Sequence, residues 1–280
     1  MNAEGAWFLR VNGSDVDPDL PALAASDRGL RYGDGVFRTM RLRQGRVPAW
    51  PRHVRKLAAD CGRLGFAVPD RSALERDLAD LGARHPESVA RITVTSGESA
   101  RGYRRAQPAR LTTLVQASAI PDLPVRLRGD GVTLRLCTLR LARQPALAGV
   151  KHLNRLEQVL ARAEWTDDEV HEGVMLDTAG DAICGTMSNL FALERARLIT
   201  PDLSNCGVAG VQRERILDWA ATQAIPATVE PLPLARLLAA DAIVLSNSVI
   251  GVWWVSRLGS QRFAAPAWFD ALDDVLMQDD

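Results

Sequence analysis

Two lysines stand among the 34 basic residues of this 280-residue chain, so the other 32 are arginine. Arginine keeps its proton and cannot attack a carbonyl as an amine, whereas lysine can. A lysine kept in so arginine-rich a chain is a candidate for amine chemistry. The two are Lys56 and Lys151. Lys151 has the more telling surroundings. It follows the apolar run PALAGV at 145–150 and precedes Leu153, Leu156, Val159 and Leu160 at helical spacing. A loop-to-helix junction can hold an amine partly out of water, where the neutral form is easier to reach.

Two further stretches suit an anion. CGVAGVQR at 206–213 is a glycine-containing turn feeding an amphipathic helix with Ile216, Leu217, Trp219 and Ala220. Such a turn presents free backbone N–H groups at the positive end of the helix dipole. A plain turn and helix would carry the same pattern. Leu245-Ser246-Asn247-Ser248 closes a strand with two hydroxyls and an amide, which is also what a polar strand end looks like.

GVKHLNRLEQVLAR at 149–162 resembles the lysine segment of 4-amino-4-deoxychorismate lyases, a fold-type IV, class IV aminotransferase-like family dependent on pyridoxal 5'-phosphate. SDRGLRYGDGVFRTMR at 26–41, RGY at 101–103, SNLF at 188–191 and GVAGVQR at 207–213 agree with it in order. The KHLNRLEQ and RGY stretches are the more specific to the lyase; the others mark the wider superfamily.

The resemblance implies a two-domain α/β (α+β) fold, like that of D-amino acid aminotransferases, with the cofactor in the interdomain cleft. It implies a homodimer whose loops complete each other's sites. Lys151 would form the Schiff base with pyridoxal phosphate. Backbone amides of Val211 and Gln212 would hold the phosphate with Ser248, beside Asn247, while Arg155 would reach the phenolate oxygen. The reaction would convert 4-amino-4-deoxychorismate to 4-aminobenzoate and pyruvate, a step of folate synthesis. The alternatives are an aminotransferase of D- or branched-chain amino acids and a homologue that no longer holds the cofactor.

The chain departs from the family pattern twice. Where the family has His-x-x-Arg-Leu, with the arginine on the phosphate, this chain has His53-Val54-Arg55-Lys56-Leu57. Lys56 can serve as a point charge without the bidentate fork, or Arg55 takes over. Five residues before Asn189-Leu190-Phe191 the family places a glutamate that pairs with the pyridine nitrogen; here it is Cys184. A thiol does not hold that nitrogen protonated as a carboxylate would. For a dicarboxylate substrate the candidates are Arg28, Arg31, Arg38, Arg101, Arg104, Arg105 and Arg143; Arg28, Arg101 with Tyr103, and Arg143 are preferred.

Composition narrows the remaining classes. Acidic and basic residues balance at 34 each, which argues against nucleic acid held by bulk charge. Cys61, Cys137, Cys184 and Cys206 are scattered, pointing to free thiols in a reducing, cytoplasmic compartment. Four histidines show no metal spacing, so no metal is expected. The start lacks an apolar signal core. The most apolar stretch, 232–255, is broken by Arg236 and Asp241, so no membrane span is expected.

The elements that must position these residues follow from periodicity and punctuation. Strands are expected at 7–11, 36–42, 89–95 and 111–116, with tight turns at Asn12-Gly13 and Gln44-Gly45. Residues 18–29 read as loop. A helix runs from Pro51 to Leu64, stopped by Gly65, with Val54, Leu57, Ala58, Cys61 and Leu64 as its buried stripe. A second, capped by Ser72, runs to about Ala83. These make an α/β half with a mixed sheet over 1–118. Residues 119–125, with Pro121 and Pro124, read as a linker. The second domain, 126–280, is expected to carry Lys151. Its strands lie near 132–138, 173–177, 190–194, 226–230 and 242–246, its helices near 152–165 and 210–223.

Overall fold

The computed structural model describes residues 8–122 and 126–277. Trp7 and residues 123–125 of the expected linker lie outside the described residues. The chain divides into two compact units. Of the described residues, the first comprises those up to Pro121 together with Val150–Asn154; the second comprises the rest, Asp122–Gly149 and those from Arg155 on. Lys151 thus clusters with the first unit, where the sequence reading placed it in the second.

The first unit holds β1 (Phe8–Val11), β2 (Ser14–Asp15), α1 (Arg28–Tyr32), β3 (Gly35–Leu42), α2 (Trp50–Leu64), α3 (Arg71–Arg84), β4 (Ser88–Thr95) and β5 (Thr112–Ser118). Its sheet runs in the order β2-β1-β5-β4-β3, and every neighbouring pair is antiparallel rather than mixed. Asn12 and Gly13 both take positive φ, the conformation a two-residue hairpin needs. Only the last two residues of the expected loop, Arg28 and Gly29, enter a helix, α1, which the Asp27 carboxylate caps by accepting the Gly29 N–H. Asp70 rather than Ser72 caps α3.

Alternation along the strands sends Val36, Met40, Leu42, Ala90, Ile92, Val94, Val115 and Ala117 into one core with Leu57 and Cys61 of α2 and Leu74, Leu78 and Leu81 of α3. The buried face of α2 is rotated from the expected stripe. It contains His53, Leu57, Asp60 and Cys61, while Val54, Ala58 and Leu64 are half-buried. A charged residue tolerates that position because Arg38 of β3 lies opposite Asp60.

The second unit holds α4 (Arg126–Asp130), β6 (Val132–Leu141), α5 (Leu156–Arg162), β7 (Glu172–Asp177), β8 (Ala182–Gly185), β9 (Asn189–Glu194), β10 (Arg197–Pro201), α6 (Val211–Thr222), β11 (Ala227–Glu230), α7 (Leu234–Leu238), β12 (Ala242–Asn247), β13 (Gly251–Leu258), β14 (Gln261–Arg262) and α8 (Phe269–Met277). Its mixed sheet runs β11-β10-β9-β12-β13-β6-β7-β8, and β8 pairs back onto β9. The strands from β9 through β12, β13, β6, β7 and β8 therefore close a ring. Leu134, Val174, Leu190, Ala192, Ile243, Leu245 and Val255 pack together in one core. The alternate residues Phe191, Val244 and Val252 pack with Ile216 and Trp219 of α6 and Leu272 of α8.

The helix expected over 152–165 is only Leu156–Arg162. Leu153 is drawn onto the start of β3, where its N–H donates to Gly35 O at 2.9 Å. The large apolar residues of α5 face outward, with Leu156, Val159 and Leu160 73%, 59% and 59% exposed, and Ala161 faces in. Among the described residues no helix is long and apolar enough to cross a membrane.

Candidate active site

In the first unit, Lys151 lies along β3. Its C=O accepts from Phe37 N–H at 3.0 Å, and its N–H donates to Asp60 Oδ2 at 3.1 Å. Its Nζ sits over the Phe37 ring, 4.5 Å from the centroid. On the far side of the tie, Arg38 also donates to Asp60 Oδ2. Burial pushes the Asp60 carboxyl above its ordinary value, against the pull of Arg38, and pushes the Arg38 guanidinium down. The amine is thus held with its backbone fixed at both ends and its side chain against an aromatic face.

Lys56 is half-buried on α2, one turn after the buried His53 and one turn before Asp60. Arg55 is exposed. Of the two basic residues there, Lys56 is the one turned toward the face that carries Asp60.

Arg28 corrects the sequence reading. It is 3% exposed, and its guanidinium donates to Asp34 Oδ2 at 2.8 Å, Ser99 Oγ at 2.9 Å, Gly102 O at 3.0 Å and Tyr103 O at 2.9 Å. These protein acceptors take up its fork, so it clamps the 99–104 loop and is not placed as a substrate ligand. Arg105 grips the same Asp34 through both oxygens, at 2.6 and 2.9 Å. Burial would raise the Asp34 carboxyl, yet Arg105, Ser96 and Arg28 together bring it down to about 2. Arg101 is exposed, and Tyr103 is 87% exposed with its ring 5.5 Å from that of Tyr32.

In the second unit, α6 opens at Gly210, which offers no side-chain cap. The amides of Val211 and Gln212 occupy the first turn, where a helix has no partner of its own for them. Gly149, two residues before Lys151, is tied to the approach to this helix. Its N–H donates to Gly207 O at 2.9 Å, and its C=O accepts from Ala209 N–H at 3.0 Å.

The Ser246–Ser248 stretch divides. Ser246 is fully buried. Asn247 is used by the fold: its Oδ1 accepts from Val249 and Ile250 N–H and its Nδ2 donates to Met187 O at 3.1 Å. Ser248 is half-buried.

Cys184 is 6% exposed, packed with Cys137, Met175 and Cys206. Burial, and then the charge of Glu172, raise its thiol above the ordinary range, while Arg155 at the start of α5 opposes them. It is a neutral thiol at working pH. Arg143 is exposed and pairs with Asp177 at 2.7 Å. Among the described residues no cluster of His, Cys, Asp or Glu could hold a metal ion.

The family model for amino-transferase class IV matches residues 35–258. The chain belongs to the class IV aminotransferase family. Among curated members, the aminodeoxychorismate lyase of Vibrio harveyi is 34% identical, over 84% of this chain and 86% of that protein. A putative branched-chain-amino-acid aminotransferase of Methanocaldococcus jannaschii is 28% identical, over 86% and 84%. Among solved structures, 4-amino-4-deoxychorismate lyase from Pseudomonas aeruginosa superposes with a TM-score of 0.90 at 39% identity, covering 96% of this chain and 97% of that one. A fold IV-transaminase from Curtobacterium pusillum, at 21% identity and a TM-score of 0.81 over 97% of this chain and 99% of that one, shares the fold.

Of the carboxylates this class IV aminotransferase chain buries, two act on candidate site residues, Lys151 and Cys184, and were passed over by the sequence reading. Asp60 is one. The other is Glu172, fully buried, whose carboxylate accepts from the N–H of Gly173, Thr186 and Met187 and the hydroxyls of Thr186 and Ser188. Removing one partner of a buried pair leaves the other uncompensated. Asp60→Leu should therefore destabilise the protein by about 3–5 kcal/mol, and adding Arg38→Met should recover most of that loss. Urea unfolding of the two variants checks both.

Proposed function

We propose that the chain is a pyridoxal-phosphate-dependent aminodeoxychorismate lyase, acting as a homodimer. The observation that carries this reading is its likeness to two lyases over nearly the full chain, at 34% and 39% identity. The transaminase that superposes with a TM-score of 0.81 stands at 21%.

The residues present fit the cofactor. Lys151 offers the amine and would hold it covalently. The first-turn amides of Val211 and Gln212 and the Ser248 hydroxyl in the second unit, and the Lys56 ammonium in the first, each have the chemistry that suits a dianionic phosphate. The cofactor, when bound, supplies an electron-accepting ring conjugated to the carbon that bears the substrate's amine. Lys151 then does the proton work. Released to the substrate, its amine takes the proton from that carbon as the neighbouring C–O bond breaks. The amine, or a water it holds, protonates the departing enolpyruvyl group, which becomes pyruvate. The ring left behind is aromatic, and that gain drives the elimination. Phe37 beneath the amine keeps water from one side of it.

Arg101 and Tyr103 remain the proposed substrate contacts. Their loop is clamped from behind by Arg28 while their side chains stand exposed. The outward apolar stripe of α5 supports a second copy as its cover, since three large exposed apolar side chains on one short helix mark an interface.

The purified protein should show an absorbance band near the visible edge when loaded with pyridoxal phosphate, and none would count against cofactor binding. Lys56→Ala should weaken cofactor affinity by the ~1.5–3 kcal/mol typical of a hydrogen bond to a charged group, whereas Lys56→Arg should retain it. An unchanged dissociation constant in Lys56→Ala would move the role to Arg55 or to the backbone.

A further inference from the structure

We infer that Asn189 is the positioning residue that shapes the turn holding the cofactor phosphate. The inference rests on the reading that the amides at the start of α6 take that phosphate.

Asn189 opens β9 and is 7% exposed. It stands where three site segments meet. On one side it is the cross-strand partner of Cys184, in the pairing that closes the ring of strands. On the other it pairs with Ser246 of β12. Its side chain reaches the turn before α6. Nδ2 donates to Val208 O at 2.7 Å, and Oδ1 accepts from Gly210 N–H at 3.1 Å. The orientation of the amide is not ambiguous, because a carbonyl cannot donate and an N–H cannot accept.

Five of the turn's backbone groups thereby have partners. Gly207 O and Ala209 N–H go to Gly149, Val208 O and Gly210 N–H go to Asn189, and Gly210 O accepts from Glu214 N–H at 3.3 Å. The next donors along the chain are the amides of Val211 and Gln212. Asn189 sets where they point, because it fixes the residue immediately before them. The chemistry is specific to asparagine. One planar group must donate to one residue and accept from another two positions on. Aspartate can only accept, and alanine leaves both buried groups unmet. The fit is tight from the other side as well. Gly210 has an ordinary extended backbone, φ −72° and ψ 157°, yet a Cβ there would overlap Asn189 Oδ1. A side chain at 210 is therefore opposed by Asn189 and not by the backbone conformation.

The test compares pyridoxal phosphate with pyridoxal, which has the same aldehyde and ring but no phosphate. Dissociation constants are measured on the apo-protein by tryptophan fluorescence, beside its melting temperature. Wild type should prefer the phosphorylated form. In Asn189→Ala that preference should fall about tenfold or more, the effect of misplacing one or two charge-assisted hydrogen bonds, while pyridoxal affinity stays within about twofold. Asn189→Asp should lose more, since its charge lies beside the phosphate turn. Gly210→Ala should also lower the preference in wild type, yet add little to Asn189→Ala, where the clash partner is gone. If Asn189→Ala does not fold, Gly210→Ala alone decides. An unchanged preference in either variant, with wild type preferring the phosphorylated form, overturns the role of Asn189. A wild type that binds both forms equally overturns the phosphate reading of the turn and the inference with it.

Discussion

Lys151→Ala is expected to lower pyruvate release by roughly 10⁴-fold, the upper end of what one general acid–base group contributes, because this amine is nucleophile, base and acid in turn. The fold should survive. The Asp60 and Phe37 ties to residue 151 run through its backbone, which alanine keeps. With two lysines in the chain, the assignment can be made chemically. Borohydride reduction of the loaded protein followed by peptide mapping should place the pyridoxyl group on Lys151. Finding it on Lys56, or on neither, would remove the foundation of the mechanism.

Cys184→Glu should change what the enzyme does rather than how fast it does it. A transaminase must store an electron pair on the cofactor, and that demands a protonated ring nitrogen opposite an anion. The lyase has a second driving force in the aromatic product, so it tolerates a weaker sink. Cys184 is buried and its thiol is raised above its ordinary range, so it brings no negative charge to the place where the family pattern has glutamate. The neighbouring Glu172 is committed to five donors of the 173 and 186–188 backbone and hydroxyls. Wild type should therefore release pyruvate with very little transamination. Cys184→Glu should raise half-transamination of amino acids relative to pyruvate release on the order of tenfold, corresponding to about 1.4 kcal/mol of extra stabilisation of the protonated ring. Both rates are to be read on the same two proteins. If the ratio does not move, Cys184 merely fills space among Cys137, Met175 and Cys206.

Much of the scaffold was legible because its signals are local. The alternation of 36–42 and 89–95, and the Pro51 and Gly65 bounds of α2, depend on a few adjacent residues. What escaped depends on partners distant in sequence. Asp60 reads as a solvent-facing helix residue until Arg38 and the Lys151 amide are seen opposite it. The 152–165 helix was read too long because Leu153, Leu156, Val159 and Leu160 keep helical spacing, yet hydrogen bonds to β3 pull Leu153 out of it. Short strands such as β8 and β10 carry too few residues for a period to show.

The site was legible in its amine and its turn, and less so in its arginines. In a chain with 32 of them, type alone cannot separate Arg28, buried in a clamp of Asp34 and loop carbonyls, from Arg101, exposed beside Tyr103. Asn189 and Glu172 look like ordinary strand residues in sequence. Their importance lies in which backbone groups they reach, and only folding decides that.

The central claim is elimination without an amino acceptor. The direct measurement incubates the loaded enzyme with 4-amino-4-deoxychorismate and no keto acid, and quantifies pyruvate and 4-aminobenzoate together. Equal amounts of both, accumulating over many turnovers, are the predicted result. Turnover that stops after one equivalent, or that requires an added keto acid, would contradict the lyase assignment and mark the chain as an aminotransferase.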